Sequence, residues 1–472
     1  MSAQRRVLVI GLDGMPCTLL QALAAQGVMP TIERLLAEGA CRELLAPVPE
    51  ISSTAWATFL TGANPARHGV FGFIDLVPGG YDTYFPNVTD LRVAPLWRHA
   101  AKAGLTTLCL NVPGTYPAPA IRGALVAGFV APSMERAVQP PRLLSTLREL
   151  GYQLDVAVGD VAADREGFLG RVREALLARA RAFDLLLREE RWDLAVAVIT
   201  ETDRLQHFLW HDLVTEGSPL HEPVLDLYRA VDGCVARLEA SLGPDDALFL
   251  MSDHGFGPAH CQFYVNAWLR QRGLLALPPD TAPLALDGAT RAFALDPARI
   301  YLHRRDRFPA GSLSGGEADA LTGELAAELA ALRWRPGAAG PEVGPEVDGP
   351  PLVAAVHRPE EVYRGPLLAQ APDLIAVPAA GVQLRGSWRH GPLLGSDALT
   401  GTHTRDNALL YARGRAIEAA TADMTDVAPT VLGALGLDSL GDVDGSDLAS
   451  PWRRPFPPAD SHGGDRANDH PS

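Results

Sequence analysis

Short, unbroken apolar runs constrain this chain more than any other feature. Val7–Leu12, Thr106–Leu110, Ala124–Val130, Leu194–Ile199, Ala247–Met251 and Ala408–Ala412 carry apolar or β-branched side chains without polar alternation. A strand with one face in water alternates apolar and polar residues, whereas a strand covered on both faces does not, so these runs read as central strands of a mainly parallel sheet. Stretches with helical periodicity separate them. Pro30–Glu38, Pro95–Gly104 and Val224–Leu242 are examples, and Gly167–Trp192 repeats apolar residues at Leu169, Val172, Leu176, Phe183 and Leu187. Strands alternating with helices predict a doubly wound α/β fold with helices on both faces of the sheet.

Chemistry-bearing residues stand where the runs end, which is where open α/β sheets place their ligands. Asp13-Gly14 follows the first run, and it serves a tight turn as readily as a ligand site. Asp203 and His207 follow the fourth run in TETDRLQH; four apart, they share one helix face, an arrangement common to surface ion pairs and metal sites. Asp253 and His254 follow the fifth run in SDHGFG. On a regular strand they would point to opposite faces, but the glycines at 255 and 257 end the strand and let both turn to one site. His403, in GTH, is placed in a loop between sheet segments. Ser52, Ser53 and Thr54 precede a short helical pattern (Trp56, Phe59, Leu60), where they are suited to cap the helix. Alternatively, one of them is a nucleophile at a helix N-terminus that also favours phosphate. The set Asp13, Ser52, Asp203, His207, Asp253, His254 and His403 offers carboxylate and imidazole without thiolate, which suits Zn²⁺ or Mn²⁺. It exceeds the needs of one tetrahedral ion, so two divalent ions are implied.

The balance of 41 Lys plus Arg against 56 Asp plus Glu gives a formal charge of −15 over 472 residues. That charge disfavours nonspecific contact with nucleic-acid polymers or anionic membranes and leaves a small or mobile substrate as the expected partner, with a local basic pocket still able to hold a phosphate. Cys17, Cys41, Cys109, Cys234 and Cys261 are odd in number and scattered, as expected of reduced thiols. The apolar run after MSAQRR is too short for a secretory signal, and no stretch of about twenty apolar residues occurs. A soluble cytoplasmic protein of undetermined oligomeric state is expected. Residues 1–270 and 390–450 read as a catalytic α/β domain. Residues 271–389, rich in Pro, Gly and Ala, read as an inserted cap or substrate-selecting region with a helix at Glu317–Leu332, a long loop at Pro336–Pro351 and a strand at Asp373–Val377. The tail, 451–472, is expected to be disordered.

VIGLDG, then TGANPARHG with a hydroxyl residue nine positions before Thr61, then TETDRLQH, SDHGFG and GTH: in this order the motifs resemble those of the alkaline phosphatase superfamily, and within it the type I phosphodiesterase/nucleotide pyrophosphatase group. The resemblance covers the chain to about residue 450. It implies an alkaline-phosphatase-like fold with Asp13, Ser52, Asp253 and His254 around one metal ion and Asp203, His207 and His403 around the other. It further implies a phosphoester hydrolase in which Ser52 attacks phosphorus to give a phosphoserine that water then hydrolyses. Two positions depart from the group's pattern. Ser52 stands in place of the usual threonine. Phe73 stands where many animal members carry an asparagine that donates to the phosphoryl oxygen, so a backbone N–H near Ser53 or Thr54 is the replacement donor. His260 and Arg405 are candidate substrate contacts or ordinary surface residues. A phosphodiesterase or nucleotide pyrophosphatase is favoured over a phosphomonoesterase or phosphomutase of the same superfamily, and over a binding protein that keeps the fold without the chemistry.

Overall fold

Val7–Leu12 is buried along its whole length and lies inside a nine-stranded sheet. In the computed structural model, which describes residues 5–276, 286, 288–336, 342–388, 391–417, 421–437 and 443–449, this strand is β1. The expected disordered tail at 451–472 lies outside the described residues. The other strands of the sheet are β2 (Gly39–Leu45), β3 (Thr107–Val112), β4 (Gly123–Ala127), β5 (Val138–Gln139), β6 (Leu194–Ile199), β7 (Ala247–Met251), β8 (Ala408–Arg413) and β9 (Thr421–Asp423). Their spatial order is β9-β2-β8-β7-β1-β6-β3-β4-β5. The contiguous block β7-β1-β6-β3-β4 is parallel, while β8 runs antiparallel to both β7 and β2.

Register decides where the ligands meet. Leu12 pairs with Ile199, and Gly11 with Met251, so β1, β6 and β7 end within about one residue of one another. Asp13, Thr200 and Ser252 therefore leave the sheet side by side. Because β8 is antiparallel, its first residues enter at this same edge, and the segment before it passes over the site.

Among the helices that flank the sheet are α1 (Cys17–Ala25), α2 (Pro30–Glu38), α3 (Ser52–Thr61), α4 (Leu96–Lys102), α5 (Arg165–Glu189), α6 (Glu201–Val214), α7 (His221–Glu239) and α8 (Met424–Ala434). They form two sets that touch within themselves, α1, α2, α5, α6 and α7 in one and α3, α4 and α8 in the other. This is the doubly wound arrangement. No helix among the described residues is long and apolar enough to cross a membrane.

A second apolar core is built by Phe263, Trp268, Phe293, Ile300, Leu325 and Leu374. It is more β-rich than the sequence suggests: Ala292–Leu295, Arg299–Leu302, Leu374–Pro378 and Val353–His357 form a four-stranded antiparallel sheet, and Cys261–Tyr264 pairs with Val382–Arg385. The expected loop at Pro336–Pro351 contributes a strand, Glu342–Gly344, paired with Arg333–Arg335; residues 337–341 lie outside the described residues. Arg299, at the start of the second strand of the four-stranded sheet, is fully buried, paired with the Asp75 carboxylate and donating to Asp296 O at 2.9 Å. Burying a charge is tolerable only with such partners.

In the TGANPARHG stretch, His68 is structural. Its Nδ1 accepts from Val70 N at 3.1 Å, so its Nε2 carries the proton and donates to Thr58 Oγ1 at 3.1 Å; Thr58 in turn donates to Thr54 O at 2.8 Å. The chain of bonds ties the turn after the motif to the first turn of α3. Burial pushes the His68 imidazole down to about 3, against an ordinary value of about 6.5. Between these values the unfolded chain takes up a proton that the folded one refuses, so this stability is complete above about pH 6.5 and is lost as pH falls toward 3. From pH 7 to pH 5 the expected loss is about 2 kcal/mol. Urea unfolding of the wild type and of His68→Gln at both pH values checks this: only the wild type should show that component, and equal acid sensitivity in both would refute it.

Candidate active site

Asp13, directly after β1, is buried, and its carboxylate is held in place by the Trp56 indole, whose Nε1 donates to Oδ2 at 3.1 Å. The Trp56 ring lies over bare backbone: a Cβ at Gly11 would stand 2.6 Å from the ring edge. Gly14 turns the chain with φ +66°, and its N–H donates to Asp253 Oδ1 at 3.0 Å. Thr202 Oγ1 donates to Asp13 O at 2.6 Å, which pins the start of α6 to the end of β1. None of these supporting contacts is visible in the sequence, although a Gly inside an apolar run and a Trp opposite it are the traces they leave.

Ser52 is the first residue of α3, with Ile51 in the N-cap position and no side-chain cap. It therefore does not cap the helix as Ser and Thr residues in this position commonly do. Its Oγ lies 3.2 Å from His254 Nε2, while the buried Oγ of Ser53 and Oγ1 of Thr54 have no hydrogen-bond partner. The first N–H returned within the helix is that of Ala55, to Ile51 O at 2.9 Å, so the preceding N–H groups face outward from its N-terminus.

His403 corrects the expectation of a loop. It sits on a short strand, Gly401–Thr404, antiparallel to Gly255–Pro258, and pairs with Phe256. This pairing brings the His403 ring onto the His254 ring, with centroids 3.6 Å apart. The ladder was hard to read because GFGP and GTHT contain little apolar sequence.

The seven residues converge. Asp203, His207 and His403 form one group and Asp13, Asp253 and His254 another, the ligand atoms within each lying within 4.8 Å of one another. Asp203 Oδ1 is 3.3 Å from His207 Nε2, 3.2 Å from His403 Nε2 and 3.9 Å from His254 Nε2, and the first two nitrogens are 3.0 Å apart. These separations approach the edge of a tetrahedral site with bonds of about 2.0–2.1 Å. All three imidazoles turn Nδ1 toward a carbonyl: His254 toward Gly255 O at 3.0 Å, His403 toward Glu50 O at 3.1 Å and His207 toward Gly401 O at 3.4 Å. A carbonyl only accepts, so Nδ1 carries the proton and each Nε2 presents a lone pair to the cluster.

Three buried carboxylate oxygens in the cluster, Asp13 Oδ1, Asp203 Oδ1 and Asp253 Oδ2, have no hydrogen-bond donor. Burial, then the charges of Asp253 and Asp203, pushes the Asp13 carboxyl well above the ordinary carboxylate range. Burial would likewise push Asp203 up, but His207 and His403 outweigh it and hold that carboxyl well below the range. Burial lowers the His254 imidazole. Crowded acidic groups with orphaned oxygens and inward lone pairs fit two divalent cations, which would relieve the repulsion that raises Asp13.

Beside the cluster opens a cavity of about 670 Å³, with His207, Thr402, His403 and Glu50 in its wall. Phe73 lines it. Burial pushes the Glu50 carboxyl up to about 7; sequence reasoning missed this residue. His260 and Arg405 are not among the cavity-lining residues. The exposed His260 lies against Gly381, and Arg405 lies within electrostatic reach of Glu50 and Asp423.

Residues 7–406 match the family model described as type I phosphodiesterase / nucleotide pyrophosphatase. None of the curated protein sequences matches the chain. Among solved structures, phosphonoacetate hydrolase from Sinorhizobium meliloti 1021 in complex with phosphonoformate superposes with a TM-score of 0.60 at 18% identity, covering 92% of this chain and 96% of that one. Murine ectonucleotide pyrophosphatase / phosphodiesterase 5 superposes with a TM-score of 0.54 at 15% identity, covering 94% of this chain and all of the other. At these identities the likeness speaks for the alkaline-phosphatase-like fold.

Proposed function

Because the chain belongs to the type I phosphodiesterase/nucleotide pyrophosphatase family and is a hydrolase of phosphoester or phosphoanhydride bonds, we propose that Ser52 is its nucleophile and that the two ligand groups hold two divalent ions, Zn²⁺ or Mn²⁺. In this reading Asp13, Asp253 and His254, with the Ser52 oxygen, hold one ion, and Asp203, His207 and His403 hold the other. Bound there, the ions would supply a lowered pKa at the Ser52 hydroxyl and neutralise charge on the phosphoryl group.

The observation that carries the proposal is the place of Ser52. Its Oγ stands at His254, within the cluster, at the uncapped start of α3. The outward N–H groups of that first turn would receive phosphoryl oxygens, a role that Phe73 lacks the donor to fill. Ser52 Oγ forms the bond to phosphorus as the bond to the leaving oxygen breaks on the opposite side. The Ser52 hydroxyl proton passes to solvent and the departing oxygen takes a proton from water; a second water then adds its oxygen to phosphorus and its proton to Ser52 Oγ, which frees the serine. A diester or nucleotide pyrophosphate is the favoured substrate. In the same reading, residues 1–270 and 390–450 are the catalytic domain and 271–389 select the substrate. A cytoplasmic setting is favoured by the scattered, odd-numbered cysteines.

The test is hydrolysis of bis-p-nitrophenyl phosphate and of p-nitrophenyl phosphate before and after chelation, with Zn²⁺ or Mn²⁺ restored separately. Expected is diester turnover that falls at least about 10³-fold on metal removal and returns on reloading. Turnover indifferent to chelation would overturn the two-ion reading; preference for the monoester would replace the diesterase with a phosphomonoesterase.

A further inference from the structure

We propose that Cys17 and Cys41 are a peroxide-responsive pair, oxidised to a disulfide that clips α1 to β2 and reduced again by thiols. The proposal stands apart from the phosphoester chemistry. It rests on a contact that the sequence hides, since 24 positions separate the two residues.

The two Sγ atoms lie 3.6 Å apart, close enough to touch. Cys17 is the first residue of α1, and Cys41 lies within β2, opposite Tyr411 of β8. Both border the main core, Cys17 buried and Cys41 partly exposed. Cys109, Cys234 and Cys261 are buried, and among the described residues none of them meets another thiol. The surroundings set the two sulfurs apart. The Cys41 S–H, donating to Cys17 Sγ, draws the Cys17 thiol below its ordinary range, and the positive end of α1 favours the same thiolate. That contact, with burial, pushes the Cys41 thiol up. Burial pushes up the other three thiols, which leaves them unreactive.

Cys17 is therefore the thiolate that meets hydrogen peroxide. Its sulfur takes one oxygen as the O–O bond breaks, giving a sulfenic acid and, with a proton, one water. The Cys41 sulfur then attacks the Cys17 sulfur and gives up its proton, and the sulfenic oxygen leaves as a second water. Two thiols thus lose two electrons and two protons, and one peroxide becomes two waters. The bond would form where three segments already meet. Cys17 N–H donates to Asn407 O at 2.7 Å, Thr18 N–H to Asn407 Oδ1 at 3.0 Å and Asn407 N–H to Glu43 Oε1 at 2.7 Å. A disulfide, with its sulfurs about 2.05 Å apart, joins α1 and β2 covalently where Asn407 joins them by hydrogen bonds.

The experiment exposes the full-length protein to a small excess of hydrogen peroxide, alkylates the remaining thiols and maps the tryptic peptides without reduction. Expected is a fall from five alkylated cysteines to three as two become linked. The link should join peptides 7–34 and 35–42, and dithiothreitol should restore all the thiols. The thermal midpoint of the oxidised form should rise by about 3 °C, the effect of closing a loop of this length in a chain of this size. In Cys41→Ser the Cys17 sulfenic acid should persist and be trapped by dimedone. In Cys17→Ser both link and label should vanish, while Cys109→Ser behaves as the wild type. Five alkylated cysteines after peroxide, oxidation that spares Cys17, a link that survives Cys17→Ser, or an oxidised midpoint no higher than the reduced one would overturn the proposal. The wild-type map decides the link even where a variant folds poorly.

Discussion

Ser52→Ala is expected to lower kcat for p-nitrophenyl diester hydrolysis by about 10⁴-fold or more, the loss typical of removing a covalent nucleophile. The expectation follows from position: Ser52 Oγ is the hydroxyl that meets His254 Nε2, at 3.2 Å, whereas Ser53 and Thr54 bury theirs without a partner. Folding should survive, since Ser52 makes no capping bond, and Asp13, Asp253 and His254 remain to hold metal. Metal content by mass spectrometry and the thermal midpoint should therefore change little while turnover collapses. Ser52→Thr keeps a hydroxyl at the same place and is expected to retain measurable activity. Full activity in Ser52→Ala, with loss in Ser53→Ala, would move the nucleophile by one residue and undo the assignment.

Asp203→Asn should lose roughly one metal ion per chain and about 10³-fold in kcat/KM. The Asp203 carboxylate faces three imidazole nitrogens within 3.9 Å, and among the described residues no other carboxylate completes the group with His207 and His403. An amide keeps the shape but not the charge that a divalent ion needs. A thermodynamic readout accompanies the kinetic one. An ion at a hundred times its Kd stabilises the folded chain by about 2.7 kcal/mol per site, so the variant should gain less than the wild type from added metal. Two ions bound with wild-type affinity would show that Asp203 is not a ligand.

The central strands were legible because a strand buried on both faces has no polar positions to confuse its pattern, as Leu194–Ile199 shows. Asp13, Asp203, Asp253 and His254 stood out because each follows such a run. Other features depend on contacts between distant segments. The Trp56 bond to Asp13 requires the ring to lie over Gly11, and no local spacing encodes that. The strand carrying His403 exists through its pairing with Gly255–Pro258, and neither partner is apolar enough to declare itself. The buried charge of Arg299 depends on Asp75, distant in sequence, so nothing local marks Arg299–Leu302 as a covered strand. Glu50 escaped notice because its meaning lies in the cavity it faces.

Strand order also has a consequence during synthesis. Gly39–Leu45 precedes Thr107–Val112, Leu194–Ile199 and Ala247–Met251 in the chain, yet its two neighbours in the sheet, Ala408–Arg413 and Thr421–Asp423, are translated after all of them. Until they arrive, that strand and the outer edge of Ala247–Met251 remain open, and open edges invite pairing with other chains. The strand that closes this gap follows directly on the segment that delivers His403. A polypeptide that has not reached Gly401–Arg413 is therefore both edge-exposed and short of a histidine, so one stretch covers the open edge and completes the reactive centre together.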